Sequence, residues 1–253
     1  MIVSELVDGC HLRCALCWNR VRKGSFRNMS LKTVEMVLEK YGNEPRIDWH
    51  NWGEPLLHKD FIAVSELIKG THSRVSTSLS LHVSDEKLQA LKNFEHVIVS
   101  LSGMTKETYG IYHRGGNFNL VMSNLERLVK VRPVRIQWLE HDYNNGERAE
   151  CASMCQKLGI EFCSKGLNCE VENQVSGFIS DMVKKYRANR KECYLLDDIV
   201  IGANGEYMLC CASHNVEIGL NISDNVSKKD IIRAKLKTDL CGECRSRELW
   251  RLY

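Results

Sequence analysis

The chain has 253 residues, 43% hydrophobic and 26% charged, a composition ordinary for a globular protein that buries a core rather than for a disordered chain. Its 35 basic and 32 acidic residues leave a formal net charge of +3, with no basic stripe of the kind nucleic-acid binding needs. No stretch approaches the ~18 uninterrupted apolar residues of a membrane span, and MIVSELVDGC lacks the charged and apolar regions of a signal peptide. The expectation is a soluble cytoplasmic protein with neither a nucleic-acid nor a membrane partner.

IVSEL opens a series in which strand-like and helix-like segments alternate. A cysteine-bearing loop, VDGCHLRCALCWN, follows it. SLKTVEMVLEKYG then reads as a helix with Ser30 as N-cap, Leu31, Val34, Val37, Leu38 and Tyr41 on its apolar face, and Gly42 at its end. RIDWHNW is the second strand and DFIAVSELIKG the second helix, from cap Asp60 to stop Gly70. RVSTSLSL precedes a helix around DEKLQALKN, HVIVSLSG precedes NFNLVMSNLERLVKV, VRIQWLEH precedes GERAECASMCQKLG, and IEFC closes the series. Alternation of this kind predicts an α/β fold of parallel strands with crossover helices. About six such units suit a partial (β/α)6 TIM-like barrel better than a closed eight-stranded one.

The last third differs. CYLLDDIVIGANGEYMLCC reads as two strands joined at Asn204-Gly205, a favoured hairpin turn, and SKKDIIRAKLKT as a helix capped by Ser227 that leads into CGEC. The expected division is a barrel core over residues 1–170, then a linker helix and a small hairpin-plus-helix unit over 171–253.

Twelve cysteines in a reducing compartment point to metal. They group as Cys10, Cys14 and Cys17; Cys151, Cys155, Cys163 and Cys169; and Cys193, Cys210, Cys211, Cys241 and Cys244. Cys151 and Cys155, four apart on one helical face, read as packing residues. The first trio, C-x3-C-x2-C, follows the first strand, and barrels of parallel strands assemble their chemistry in such loops. Structural zinc takes four ligands in paired short spacings, whereas the next cysteine after Cys17 is more than a hundred residues away. Three thiolates suit a cubane iron–sulfur cluster with one iron open to an outside ligand. Cys193, one of Cys210 and Cys211, Cys241 and Cys244 could converge on a second centre, where four thiolates suit zinc as well as a cubane.

This placement of C-x3-C-x2-C resembles the radical S-adenosylmethionine superfamily, and further segments match in order along essentially the whole chain. WGEPLLHKDF, ending the second strand, is similar to the family's G-G-E-P. VIVSLSGMTKETYGIYHRGGNF is similar to its S-L-D-G followed by Y-R-G-G-x-F. The resemblance implies a 4Fe–4S cluster on Cys10, Cys14 and Cys17. It further implies S-adenosylmethionine contacts from Gly53 and Glu54 to the methionyl amine, from Ser100 to the ribose region and from Arg114 to the carboxylate. Trp52 replaces the first Gly of G-G-E-P, Leu16 an aromatic before the third cysteine, for which Trp18 could stand in, Ser102 the usual Asp, and TSLSL the frequent T-N-G.

The C-terminal pattern resembles the Twitch auxiliary-cluster unit, the shorter relative of SPASM, since RSRELWRLY adds no cysteine after the final C-x2-C. It implies a second 4Fe–4S cluster on Cys193, Cys210, Cys241 and Cys244, with Cys210 preferred to Cys211 for its G-x4-C spacing from Gly205. The chemistry implied is reductive cleavage of S-adenosylmethionine to methionine and a 5′-deoxyadenosyl radical that takes hydrogen from a small-molecule substrate. Dehydrogenation of a sugar or cyclitol alcohol leads, with the auxiliary cluster as electron acceptor, as in the Twitch-type aminocyclitol dehydrogenase of antibiotic biosynthesis. Radical epimerisation with a cysteine hydrogen donor, thioether formation on a peptide and a two-zinc scaffold are the alternatives. With nine residues before Cys10, a leader-binding domain is not expected, which ranks the peptide branch lower. An external one-electron donor, flavodoxin or ferredoxin, is implied. Among His50, Glu140, His141 and Asp142 near strand ends, His141 is the candidate catalytic base.

Overall fold

A computed structural model describes residues 1–17, 19, 26–166, 195–211 and 216–239. The chain forms β1 (Ile2–Ser4), a two-stranded antiparallel ribbon of β2 (Val7–Asp8) and β3 (Arg27–Asn28), and then α1 (Leu31–Tyr41). It continues with β4 (Ile47–Asp48), α2 (Phe61–Ile68), β5 (Ser73–Thr77), α3 (Asp85–Ala90) and β6 (His96–Leu101). Next come α4 (Lys106–Tyr112), α5 (Phe118–Leu128), β7 (Arg135–Glu140), α6 (Arg148–Leu158) and β8 (Glu161–Gly166). The last described elements are β9 (Ile199–Ile201), β10 (Glu206–Met208), β11 (Glu217–Asn221) and α7 (Lys228–Leu236).

Local signals set the helix starts. The Ser30 hydroxyl accepts the Thr33 amide at 3.1 Å, and Ser227 and Asp230 close a reciprocal capping box on α7. Asp60 stands at the start of α2 without a side-chain cap bond. α4, β11 and the β2–β3 ribbon are additions to the predicted elements.

Among the described residues, nine strands form one sheet in the order β11-β10-β9-β1-β4-β5-β6-β7-β8. The run from β9 through β1 to β8 is parallel, and β10 lies antiparallel to β9 and β11. The six predicted barrel strands are thus β1 and β4 to β8, a partial TIM-like arrangement. The predicted hairpin is β9–β10, though its turn spans residues 202–205, closed by Gly205 N to Gly202 O at 2.9 Å, instead of the two residues Asn204-Gly205; it extends the same sheet, with Val200 in register with Val3. Ile2, Ile47, Val75, Val99, Trp138 and Ile201 turn to the helices and form the main core. Alternate residues take the other face, where Val3, Val200 and Met208 make a small apolar patch and the Ser76 and Ser100 hydroxyls lie 3.4 Å apart. Among the described residues no helix is long and apolar enough to cross a membrane.

Candidate cluster and cofactor site

The loops after β1, β4, β5 and β6 gather at the carboxyl end of the sheet. Cys10, Cys14 and Cys17 are all partly exposed in the first of them. Its shape is held by short-range bonds, Leu12 N to Cys10 Sγ at 3.4 Å and Cys17 N to Cys14 O at 3.1 Å. It is tied outward by Arg13 N to Arg114 O and Ala15 N to Tyr112 O, both 2.9 Å, and by His11 Nε2 to Ser80 O at 2.8 Å.

Burial, then the nearby Glu54 carboxylate, pushes the Cys10 thiol up to about 12. Burial, then Cys17 and Cys10, pushes Cys14 up as well. Two thiols pushed up beside a third form a donor set that a cationic metal core would complete, converting them to thiolates. Among the described residues no three Cys, His, Asp or Glu side chains converge on a single ion. A cubane asks for no such convergence, because each thiolate binds a different iron. The trio therefore fits a cluster better than a zinc ion.

The loop after β4 packs directly on this one. A Cβ on Gly53 would stand 1.7 Å from Val7 O, so only glycine lets the two backbones approach this closely. Glu54 N donates to Gly9 O at 2.9 Å. The Glu54 carboxylate, 2% exposed, turns into the protein, where it accepts Thr77 Oγ1 at 2.6 Å, Ser78 N at 2.8 Å, Ser78 Oγ at 2.7 Å and Leu56 N at 3.2 Å. Thr77 and Ser78 belong to TSLSL, read in the sequence as a departure and here the socket for that carboxylate. Leu79 follows with φ of +52°, the left-handed region that favours glycine, and its fully buried side chain offsets a backbone cost of about 1–2 kcal/mol. Lys87 Nζ fastens the far end, donating to Leu56 O at 2.6 Å and His58 O at 3.1 Å.

After β6, Ser100 is half-buried, and Ser102 Oγ lies 2.6 Å from Nδ1 of buried His113. Tyr109 stacks on the His113 ring at 4.6 Å. A Cβ on Gly116 would come within 2.7 Å of the Tyr109 ring, so glycine lets the Arg114 segment lie flat against α4. The Arg114 side chain is half-buried while its carbonyl holds the cysteine loop. His141, 5% exposed, lies between Tyr112 at 5.1 Å and Tyr143 at 5.0 Å, and its amide donates to Asn144 Oδ1 at 2.9 Å. Asn144 Nδ2 in turn donates to Ser102 O at 2.9 Å and Leu139 O at 2.8 Å. Burial pushes His141 down to about 4 and His113 to about 3, so both rings are neutral near pH 7. Glu140 is engaged elsewhere, by Arg148 Nε at 3.0 Å and by Ser164 Oγ.

Cys210 and Cys211 follow β10, and Cys211 packs against Val3, Val200 and Met208. Burial, then Cys210, pushes Cys211 up to about 12. Cys193, Cys241 and Cys244 lie outside the described residues, as do Cys169 and Trp18. Cys151 and Cys155 are in the core, as their spacing predicts, and Cys163 is exposed. The contributions missed in the sequence are those of Glu5, Thr77, Ser78, His113 and Asn144. A run of hydroxyl residues after a strand was the one local signal for any of them.

The Radical SAM superfamily model matches residues 4–161, well over half of the chain. No curated protein matches it. Among solved structures, Streptococcus suis SuiB bound to S-adenosylmethionine aligns with a TM-score of 0.69 at 14% identity, over 97% of this chain and 67% of that one. The anSMEcpe structure with bound AdoMet gives 0.66 at 14% identity over 96% and 81%. BtrN in complex with AdoMet and 2-DOIA gives 0.52 at 19% identity over 97% and 85%. At these identities the structural likeness is one of fold, which the family match completes: the chain belongs to the radical S-adenosylmethionine superfamily, whose cofactors are S-adenosylmethionine and a 4Fe–4S cluster.

Proposed function

We propose that this chain dehydrogenates a hydroxyl-bearing small molecule, a sugar or cyclitol, by radical S-adenosylmethionine chemistry. The observation that carries the cofactor part of the reading is the bonding of the cysteine loop to the segments after β4 and β6, through Gly9, Arg13 and Ala15. The three sequence segments that resemble the family's cofactor motifs are thereby parts of one surface.

In this reading Cys10, Cys14 and Cys17 hold the cluster. With Glu54's carboxylate occupied by Thr77 and Ser78, Gly53 and Glu54 offer backbone to the methionyl amine. Ser100 faces the ribose region and Arg114 the carboxylate. When bound and reduced, the cluster and S-adenosylmethionine supply a 5′-deoxyadenosyl radical for hydrogen abstraction. His141 is the candidate base for the substrate hydroxyl's proton: its Nε2 is buried between Tyr112 and Tyr143 with no hydrogen-bond partner among the described residues, so substrate would reach it only by displacing one of those rings. Electrons arrive from flavodoxin or ferredoxin, and a cytoplasmic setting keeps the thiols reduced.

Residues 1–170 are read as the core and 171–253 as a Twitch-type unit. Cys193, Cys210, Cys241 and Cys244 hold its auxiliary 4Fe–4S cluster, the acceptor for the substrate's second electron. The register supports this, because Met208 pairs with Val200 and Val200 with Val3, so the chain after β10 runs toward the amino end of β1 and puts Cys210 at the floor of the barrel, away from the Cys10 loop. The BtrN complex with 2-DOIA is in keeping with a small substrate. A peptide substrate is the second reading, favoured by one finding: the likeness, at TM-score 0.71, to SuiB bound to its precursor peptide SuiA.

Anaerobic reconstitution with iron and sulfide analysis, then a screen of sugars, cyclitols and peptides for 5′-deoxyadenosine release, tests the assignment. A product two hydrogens lighter supports dehydrogenation. Solvent deuterium gained at unchanged oxidation level would replace it with epimerisation.

A further inference from the structure

Three consecutive amides after β4 converge on one buried carboxylate. Glu5 Oε1 accepts Gly53 N at 2.9 Å and Asn51 N at 3.3 Å, while Oε2 accepts Trp52 N at 2.9 Å. Glu5 is 8% exposed, just past β1, and its own amide donates to Ile201 O at 2.8 Å. The carboxylate is thus rooted in the centre of the sheet, some 46 to 48 residues from the loop it holds.

Two physical consequences follow. Convergent backbone N–H groups form a concavity of positive potential that attracts anions and repels cations. Filled by Glu5, this one is neutralised from inside the protein. In addition, a trans peptide sets each carbonyl antiparallel to the following N–H. The carbonyls of His50, Asn51 and Trp52 therefore point away from Glu5, and Asn19 Nδ2 binds the last of these at 2.5 Å.

We propose that Glu5 is a positioning residue for the ammonium end of S-adenosylmethionine. It gathers the 51–53 amides on the inner side of the loop, cancels their positive potential and turns the His50 and Asn51 carbonyl oxygens away from itself, so that the backbone leading into Gly53 presents oxygen rather than N–H to a cation, Trp52 O being held by Asn19. The proposal rests on the cofactor reading above and adds to it a residue outside every recognised motif. It also accounts for a buried acid next to a site that must accept a positive charge.

The test uses the reconstituted full chain and Glu5→Gln, which keeps the shape, loses the charge and replaces one acceptor oxygen with an amide that cannot accept. S-adenosylmethionine should bind about 10- to 100-fold more weakly, the range for hydrogen bonds to a charged group. Binding of 5′-methylthioadenosine, which lacks the amino-acid end, should change by less than about 2-fold on the same scale, with iron content that of the parent. Equal losses for both ligands, or no loss for either, would overturn the proposal. Hydrogen exchange on the unmodified protein without cofactor is the second measurement and does not depend on the variant folding. The amides of residues 51–53 should be protected; exchange at the rate of open loops refutes the clamp. If the parent itself binds no S-adenosylmethionine, the cofactor reading fails while the exchange result still decides whether the clamp exists.

Discussion

Two sets of cysteines in this chain show what spacing can and cannot say. Cys10, Cys14 and Cys17 lie in a loop tied down by backbone bonds, partly exposed, with burial and the neighbouring Cys17 pushing Cys10 and Cys14 up. Cys151 and Cys155 are as closely spaced but occupy consecutive turns of α6 with their side chains in the core. There the hydrogen bond to Cys155, together with burial, pushes the Cys151 thiol up, and the pair behaves as packing. Sequence distance is nearly the same in both; what separates them is whether the backbone presents the thiols to a shared opening or to a helix interface.

Breaking either set should give opposite results. Cys14→Ala should abolish 5′-deoxyadenosine formation, by about a thousandfold or more, the scale on which loss of a site's central electrostatic group is felt, with iron content falling in parallel. Gly53→Ala forces a Cβ against Val7 O and should cost about 3 kcal/mol in chemical denaturation, the upper range for overpacking, with cofactor binding lost as the loops part. The pair on α6 should respond in stability alone: Cys155→Ala should cost about 1–2 kcal/mol and leave iron content at the parent value. Cys163, exposed on β8, sets the floor, and Cys163→Ser should change stability by less than about 0.5 kcal/mol.

Acid sharpens the contrast at the mouth of the sheet. His141 and His113 titrate near 6.5 when unfolded but at about 4 and about 3 in the folded protein, both lowered by burial. The unfolded chain takes up protons first, so these groups' stabilisation is complete above pH 6.5 and lost as pH falls from there through about 4 for His141 and about 3 for His113. The melting temperature should fall across that window, and the drop should be smaller in His141→Gln. An identical pH profile for parent and variant would contradict the burial of that ring.

Where a signal was local, the sequence revealed it. Ser30 and Ser227 cap helices because their hydroxyls reach amides three residues on, and Gly205 takes φ of +83° in the hairpin. The six parallel strands follow from alternation over short windows. β11 was hidden because Gly219, with φ of +74°, interrupts its weak apolar pattern, and α4 because KETYGIY is enclosed within the motif segment. The pairing of β9 with β1 and the Glu5 clamp join residues far apart in the chain, and no local pattern encodes such contacts. The site's residue types were legible, but not their partners: that the Glu54 carboxylate accepts from Thr77 and Ser78 joins two loops no local pattern connects.

The central claim is that the N-terminal trio holds a cluster with one iron open to S-adenosylmethionine. Electron paramagnetic resonance of the anaerobically reconstituted, reduced full chain, recorded before and after adding S-adenosylmethionine, tests it most directly. A cluster signal that changes on addition, followed by release of 5′-deoxyadenosine, is the predicted result. A signal indifferent to the cofactor, or protein that retains no iron, would contradict the account.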